Sequence, residues 1–283
     1  MELKNKVQST VDKTIKYIFQ LNNQIVEFSY IDNNSGKDII CVPCQTMCNM
    51  SCKFCHLTDH IGKISLKDMT ADEIIEGTKY IIEDLKLGDR TILISYMGCG
   101  EPLDNIIGVI NSMVLLSKEY GVDRIRFGLA TMLPKKRWVE FFQLVERANY
   151  NGLNLKIHLS LHFVDDTQRK EWMPAALNID ASLSALKFYH EITGNPIEVH
   201  YTIMDGVNDS KSDIVTLAQL IPKYCTIKFM RYSEKDTLDT KATSVSLIKT
   251  HMDYLSSCEN KVEYYEPPGI DIGSSCGQFL LDL

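Results

Sequence analysis

Apolar and polar residues change period along the chain in a regular way. Near the start, Lys16-Tyr17-Ile18-Phe19-Gln20-Leu21 and Ile25-Val26-Glu27-Phe28-Ser29-Tyr30-Ile31 alternate roughly by two about a turn at Asn22-Asn23, which predicts a hairpin closed by the loop Asp32-Asn33-Asn34-Ser35-Gly36. Ile39 to Val42 then leads into a cysteine-rich loop. Thr70-Ala71-Asp72-Glu73 spells a capping box, and Ile74, Ile75, Tyr80, Ile81, Ile82 and Leu85 follow at helical spacing. Beyond it, short apolar runs at 91–96, 124–129, 155–161, 197–203 and 225–230 predict strands, and the patterns near 104–120, 135–148, 181–193, 209–221 and 243–257 predict helices. A last strand is predicted near 261–265, before a Gly-rich tail.

Strands alternating with helices imply a parallel sheet with helical crossovers. Counting the strand before the cysteine loop gives about six units. The expected fold is α/β, a partial (β/α)6 barrel over residues 37–283 with a small β appendage over residues 1–36. No strand is followed by the G-x-G-x-x-G fingerprint of a dinucleotide-binding sheet. In such barrels chemistry gathers at the carboxyl ends of the strands.

Composition changes this picture little. The 283 residues, 45% hydrophobic, suffice for a sizeable core. No apolar run approaches the roughly 20 residues of a membrane span, and MELKNKVQSTVDK lacks the apolar region of a secretory leader. Nine cysteines without extracellular spacing fit a reducing compartment, so the expected location is cytoplasmic, with no membrane partner. A net charge of −7 argues against non-specific nucleic-acid binding, although Lys135-Lys136-Arg137 offers either a solvated face or a local phosphate contact.

The candidate chemistry centres on Cys48, Cys52 and Cys55, set at C-x3-C-x2-C spacing in one loop. Three thiolates are one too few for a closed site, so a cluster held by them would keep one iron open. A zinc knuckle that borrows Cys44 or His56 is the plainer alternative, but the pairs Cys41/Cys44 and Cys52/Cys55 lie closer together than in zinc ribbons. Gly98-Cys99-Gly100-Glu101-Pro102 directly follows a predicted strand, where glycines would let the backbone approach a ligand and Glu101 could meet an ammonium group. Ser160-Leu161-His162 ends another strand. Met204-Asp205-Gly206-Val207-Asn208-Asp209-Ser210 reads as a turn and helix cap. Cys276 lies between Gly273 and Gly277 near the end, in a loop suited to a mobile thiol or to a surface cysteine.

The three-cysteine loop followed by Met97-Gly98-Cys99-Gly100-Glu101-Pro102 resembles the radical S-adenosylmethionine (SAM) superfamily, and Cys276-Gly277-Gln278 narrows the resemblance to RNA adenine methyltransferases of the RlmN/Cfr type. It runs from about Thr14 to Gln278. It implies a [4Fe-4S] cluster on Cys48, Cys52 and Cys55, and two SAM molecules per turnover. Gly100, Glu101, Ser160, Leu161, His162 and Ser233 fall at its SAM-contacting positions. Cys276 would become S-methylated and deliver its carbon to adenine C2 or C8 of rRNA or tRNA. Cys41 would resolve the adduct through a transient disulfide, Glu27 would accept a proton, and a flavodoxin or ferredoxin would supply electrons. Several positions depart from the pattern. Cys99 stands where the family has methionine, Gly128-Leu129-Ala130-Thr131 replaces Ser-Thr-x-Gly, and Ser233 replaces asparagine. The family's N-terminal helical domain has no counterpart, and Tyr264-Tyr265-Glu266-Pro267-Pro268-Gly269 replaces its basic segment. These departures leave open the same chemistry on a small molecule, nucleoside derivative or peptide, and a noncatalytic metal or thiol sensor.

Overall fold

Among the described residues ten strands join one sheet, in the order in which they occur along the chain. They are β1 (Glu2–Gln8), β2 (Ile15–Leu21), β3 (Gln24–Asp32), β4 (Asp38–Cys41), β5 (Ile92–Tyr96), β6 (Ile125–Thr131), β7 (Leu155–Ser160), β8 (Ile197–Ile203), β9 (Cys225–Arg231) and β10 (Lys261–Tyr265). The structure is a computed structural model and describes residues 1–32, 38–274 and 277–278. Cys276 and the loop over 33–36 therefore lie outside the described residues. From β4 to β10 every neighbouring pair is parallel. From β1 to β4 every pair is antiparallel, so the hairpin predicted near the start extends the parallel sheet at its β4 edge.

Helices α1 (Ala71–Asp84), α2 (Ile106–Tyr120), α3 (Trp138–Tyr150), α4 (Asp166–Trp172), α5 (Ile179–Thr193), α6 (Lys211–Leu220) and α7 (Val245–Ser257) connect the parallel strands. Pairs of them pack side by side, α1 on α2, α2 on α3, α3 on α5 and α6 on α7. This is the partial (β/α) barrel that the alternation predicts. Strands such as β5, which reads ILISY, are apolar almost throughout because parallel strands are covered on both faces. Ile92, Ile94, Phe127, Leu129, Leu155, Ile157, Val199, Ile227 and Phe229 are accordingly buried in one core.

Two elements carry no signal in the hydrophobic pattern. β1 is a mostly exposed edge strand with polar residues on both faces. α4 is a seven-residue helix, DTQRKEW, whose one buried side chain is an arginine. Among the described residues no helix is long and apolar enough to cross a membrane.

The start of α2 fixes how the cysteine loop enters the barrel. Asn105 caps the helix by accepting from Gly108 N at 3.2 Å, and its amide donates to the carbonyls of Cys44 and Met69, each at 2.7 Å. One buried side chain thus serves three backbone groups from three segments. Asn105→Ala removes the cap and strands two buried carbonyls, which costs about 2–4 kcal/mol. A fall in the denaturation midpoint at unchanged slope in urea is the expected result.

Candidate active site

The carboxyl ends of the parallel strands surround a cavity of about 210 Å³. Its lining brings together Cys48, Cys52 and Cys55 with Gly100, Glu101, Ser160, His162 and Ser233, eight of the residues singled out in the sequence. Leu161 is fully buried in the main core and is absent from this lining. Cys41 lines an adjoining cavity. Glu27 lines neither; it is buried, 3.9 Å from Lys16 Nζ.

The cysteine loop lies between two apolar groups. Cys48 and Cys52 pack against Met50, Met132, Phe163, Met173, Met204 and Tyr232, while Cys48 and Cys55 pack against Met47, Leu57 and Cys99. Burial pushes the Cys48 thiol up to about 12 and raises Cys52 and Cys55 as well. Two cations flank the loop and oppose that shift, Lys235 beside Cys55 and Arg169 beside Cys52. Neither stands out in sequence, because both lie in ordinary polar stretches. Lys235 is nearly buried, and its ammonium donates to Asp59 at 2.9 Å and to the carbonyls of Cys55 and Lys53 at 3.3 and 3.4 Å. Arg169 is buried among carbonyls: Ser160 at 2.9 Å, Met132 and Leu177 at 3.1 Å each, and Leu161. It ties the ends of β6 and β7 to α4.

The two residues that would complete a zinc site face elsewhere. Cys44 is buried with its thiol on the Cys99 carbonyl at 3.6 Å, and His56 Nε2 lies 3.2 Å from the Ser233 carbonyl. Neither lines the cavity. The thiols of Cys48, Cys52 and Cys55 line the space together with Glu101, His162 and His200.

The turn after β5 packs against the lead-in to the cysteine loop. The amides of Cys44 and Gln45 donate to the Cys99 carbonyl, and Glu101 N donates to Gln45 Oε1 at 3.0 Å. A Cβ on Gly98 would lie 2.8 Å from the Val42 carbonyl oxygen, and one on Gly100, whose φ is +105°, 2.7 Å from Cys44 Sγ. The glycines are thus needed first for close approach within the protein, whereas the sequence suggested approach to a ligand. Cys99, between the two glycines, is buried. Its thiol packs with Met47 and Leu57 and does not line the cavity.

Glu101 is the carboxylate of the site. Thr131 Oγ1 donates to it at 2.6 Å, and the amides of Leu103 and Met132 donate at 3.2 Å each. Burial outweighs these bonds and raises its pKa from 4.5 to about 7. Opposite it, His162 adopts φ of +57°, a strained conformation for a side chain of this size, and its Nδ1 accepts from Thr202 N at 2.8 Å. Nε2 therefore carries the proton in the neutral ring. Asn208 holds this corner: its amide donates to the His162 and Thr202 carbonyls, and its oxygen accepts from Met204 N. Ser210, in the same motif, caps α6. The 204–210 segment is thus the turn and cap that its sequence predicts.

The chain belongs to the Radical SAM superfamily, which its residues 42–221 match. Within it the chain is related to the RlmN/Cfr RNA methyltransferases. It is 30% identical over 285 residues to the probable dual-specificity RNA methyltransferase RlmN of Clostridium perfringens (strain 13 / Type A), covering 98% of this chain and 78% of that protein. The protein of the same name from Clostridium botulinum (strain Eklund 17B / Type B) is 29% identical over 284 residues, with the same coverage. A solved radical SAM methyltransferase from Sphaerobacter thermophilus shares the fold, with a TM-score of 0.84, 24% identity and coverage of 98% of this chain and 80% of that one. Superfamily membership implies SAM and an iron–sulfur cofactor, which fits the three-thiol cavity.

Without SAM, Glu101 binds its proton more tightly in the folded than in the unfolded chain. Its contribution is therefore favourable below pH 4.5 and is lost as pH rises through about 7, by up to roughly 3 kcal/mol. Glu101→Gln removes this dependence. The melting temperature of the variant should gain on that of the wild type as pH rises from 5 to 8; a constant difference would contradict the raised pKa.

Proposed function

We propose that this chain is a radical SAM methyltransferase that methylates an sp² carbon, C2 or C8 of an adenine in RNA, through an S-methylcysteine at Cys276. The observation that carries the reading is where the described residues flanking Cys276 lie. On one side the Ser274 hydroxyl bonds to that of Ser29, which is the register partner of Cys41 across β3 and β4. On the other, the Gly277 carbonyl accepts from His56 N at 3.1 Å, beside the Cys55 sulfur. Ser274 thus lies beside the strand pair that carries Cys41, and Gly277 beside the three-thiol loop.

In this reading Cys48, Cys52 and Cys55 hold a [4Fe-4S] cluster. Gly100, Glu101, Ser160, His162 and Ser233 would surround SAM, with Glu101 toward its ammonium group, while Leu161 between Ser160 and His162 packs in the core. When bound and reduced, a cluster on these thiols together with SAM would supply a radical able to remove a hydrogen atom, with a flavodoxin or ferredoxin as the electron source.

Cys276 has two tasks. Its thiolate first takes a methyl group from one SAM, forming a C–S bond as the sulfonium C–S bond breaks. After hydrogen removal from that methyl group, Cys276 tethers the resulting carbon while it adds to the adenine ring. Aromatic carbons of this kind are too weakly nucleophilic to attack SAM directly, so a tether is needed. Once the adduct has passed one electron to an oxidised flavodoxin or ferredoxin, the Cys41 thiolate attacks the Cys276 sulfur. The C–S bond breaks, the S–S bond forms, and the proton on the ring carbon moves to the new methyl group. Glu27 is the proton acceptor by resemblance, although it lies off both cavities. RNA as substrate rests on the names of the relatives.

The test is anaerobic reconstitution with iron and sulfide, followed by SAM and reductant. The expected outcome is a gain of one methyl mapping to Cys276 together with 5′-deoxyadenosine release. Cys276→Ala should abolish methyl transfer to RNA while SAM cleavage remains possible. SAM cleavage without methylation of Cys276 would overturn the reaction; methylated Cys276 with unchanged RNA would overturn the substrate.

A further inference from the structure

Glu101 is held at both its backbone and its carboxylate. Its amide donates to Gln45 Oε1 at 3.0 Å, and Gln45 Nε2 in turn donates to Asp68 Oδ1 at 2.7 Å. The carboxylate lines the cavity, and its two oxygens are bonded unequally. Oε1 accepts from Thr131 Oγ1 at 2.6 Å and from Leu103 N at 3.2 Å. A carboxylate oxygen offers about two acceptor positions, so Oε1 is filled. Oε2 accepts from Met132 N at 3.2 Å and, among the described residues, from no other group. One acceptor position on Oε2 therefore remains for a ligand in the cavity.

The Thr131 hydroxyl is itself aimed by the backbone. Leu133 N donates to Oγ1 at 2.9 Å across a tight turn in which Leu133 adopts φ of +53°. With its oxygen accepting there, the hydroxyl has one proton to give, and Glu101 Oε1 is what that proton meets. Thr131 closes β6, pairs with Leu159 of β7 and is buried, so the sheet and the core fix where this donor stands. Leu103 and Met132 donate through their backbone amides, which any residue but proline would supply. The hydroxyl is the one side-chain donor on the carboxylate among the described residues, and its bond is the shortest of the three. It is also a feature of this chain, because Thr131 stands where the pattern Ser-Thr-x-Gly has glycine.

We infer that Thr131 is a positioning residue for amino-group recognition: by occupying Oε1 it presents Oε2 of Glu101 to the ammonium group of the ligand. The inference rests on the contact between Glu101 and SAM given above and names the group that sets it. Without the hydroxyl, Oε1 keeps a single amide donor, the two oxygens become alike, and the carboxyl group is free to turn. The same bond favours the ionised carboxylate, against the burial that raises it. An ammonium group needs that form, since a neutral carboxyl would present a proton of its own.

Titration calorimetry on the full chain with its cluster reconstituted tests this without turnover. The ligands are S-adenosylhomocysteine and its analogue with hydrogen in place of the amino group. The wild type should bind the amine-bearing ligand more tightly. Thr131→Val should lose about tenfold on that ligand and bind the deaminated analogue as the wild type does. Thr131→Ser, which keeps the hydroxyl, should restore the preference. An equal loss on both ligands is what a merely structural role predicts, and it overturns the inference, as does an unchanged preference in Thr131→Val. A wild type that does not distinguish the two ligands removes the Glu101 contact and this inference together. Methylation of Cys276, read by mass, is decided separately from all of these results.

Discussion

Every loop that shapes the cavity leaves a parallel strand at its carboxyl end, where the ladder stops and backbone groups lose their partners inside the protein. Buried polar groups of this kind are costly unless satisfied. Here long polar side chains meet the need. Asn105 serves Cys44, Met69 and Gly108; Asn208 serves His162, Thr202 and Met204; Arg169 serves four carbonyls; Lys235 serves the cysteine loop. The cavity keeps its shape because these groups bridge segments far apart in sequence. Their chemistry is silent in catalysis, but the positions of Cys48, Ser160 and His162 depend on them.

The same arrangement sets the electrostatics. Thiols buried among methionines resist ionisation, so a cluster there must displace protons when it binds. Lys235 and Arg169 oppose that resistance from two sides. Glu101 is the opposite case, a carboxyl whose burial favours the neutral form until a cation arrives. An ammonium group entering the cavity would meet an acceptor already held in place by Thr131 and two backbone amides.

Much of this was legible along the chain. The period of two in β2 and β3, the apolar runs of the parallel strands and the capping box of α1 are local features, and each forms where the pattern puts it. The three-cysteine loop and the turn at Gly98–Pro102 were also readable, because close spacing fixes what can face one ligand. β1 leaves no mark on the pattern because an exposed edge strand needs no apolar face. Arg169 leaves none because a polar helical turn looks the same whether its arginine faces water or is buried among carbonyls. The burial of Glu27 is not legible either, because alternation alone does not say which face of a strand is covered.

What the sequence determined by itself is the type of protein. An alternating αβ order and a set of thiols at short spacing depend only on local geometry, and they carry the barrel order and the resemblance to radical SAM proteins before any contact is known. Tertiary structure decided which way each group faces. It turned Cys99 and Cys44 away from the cavity, placed Ser274 against Ser29 and Gly277 against Cys55, and gathered Lys156, His158, His200 and Lys228 around the Glu198 carboxylate. Such contacts join residues separated by tens to hundreds of positions. They arise from the register of neighbouring strands and the packing of loops, which no local pattern encodes.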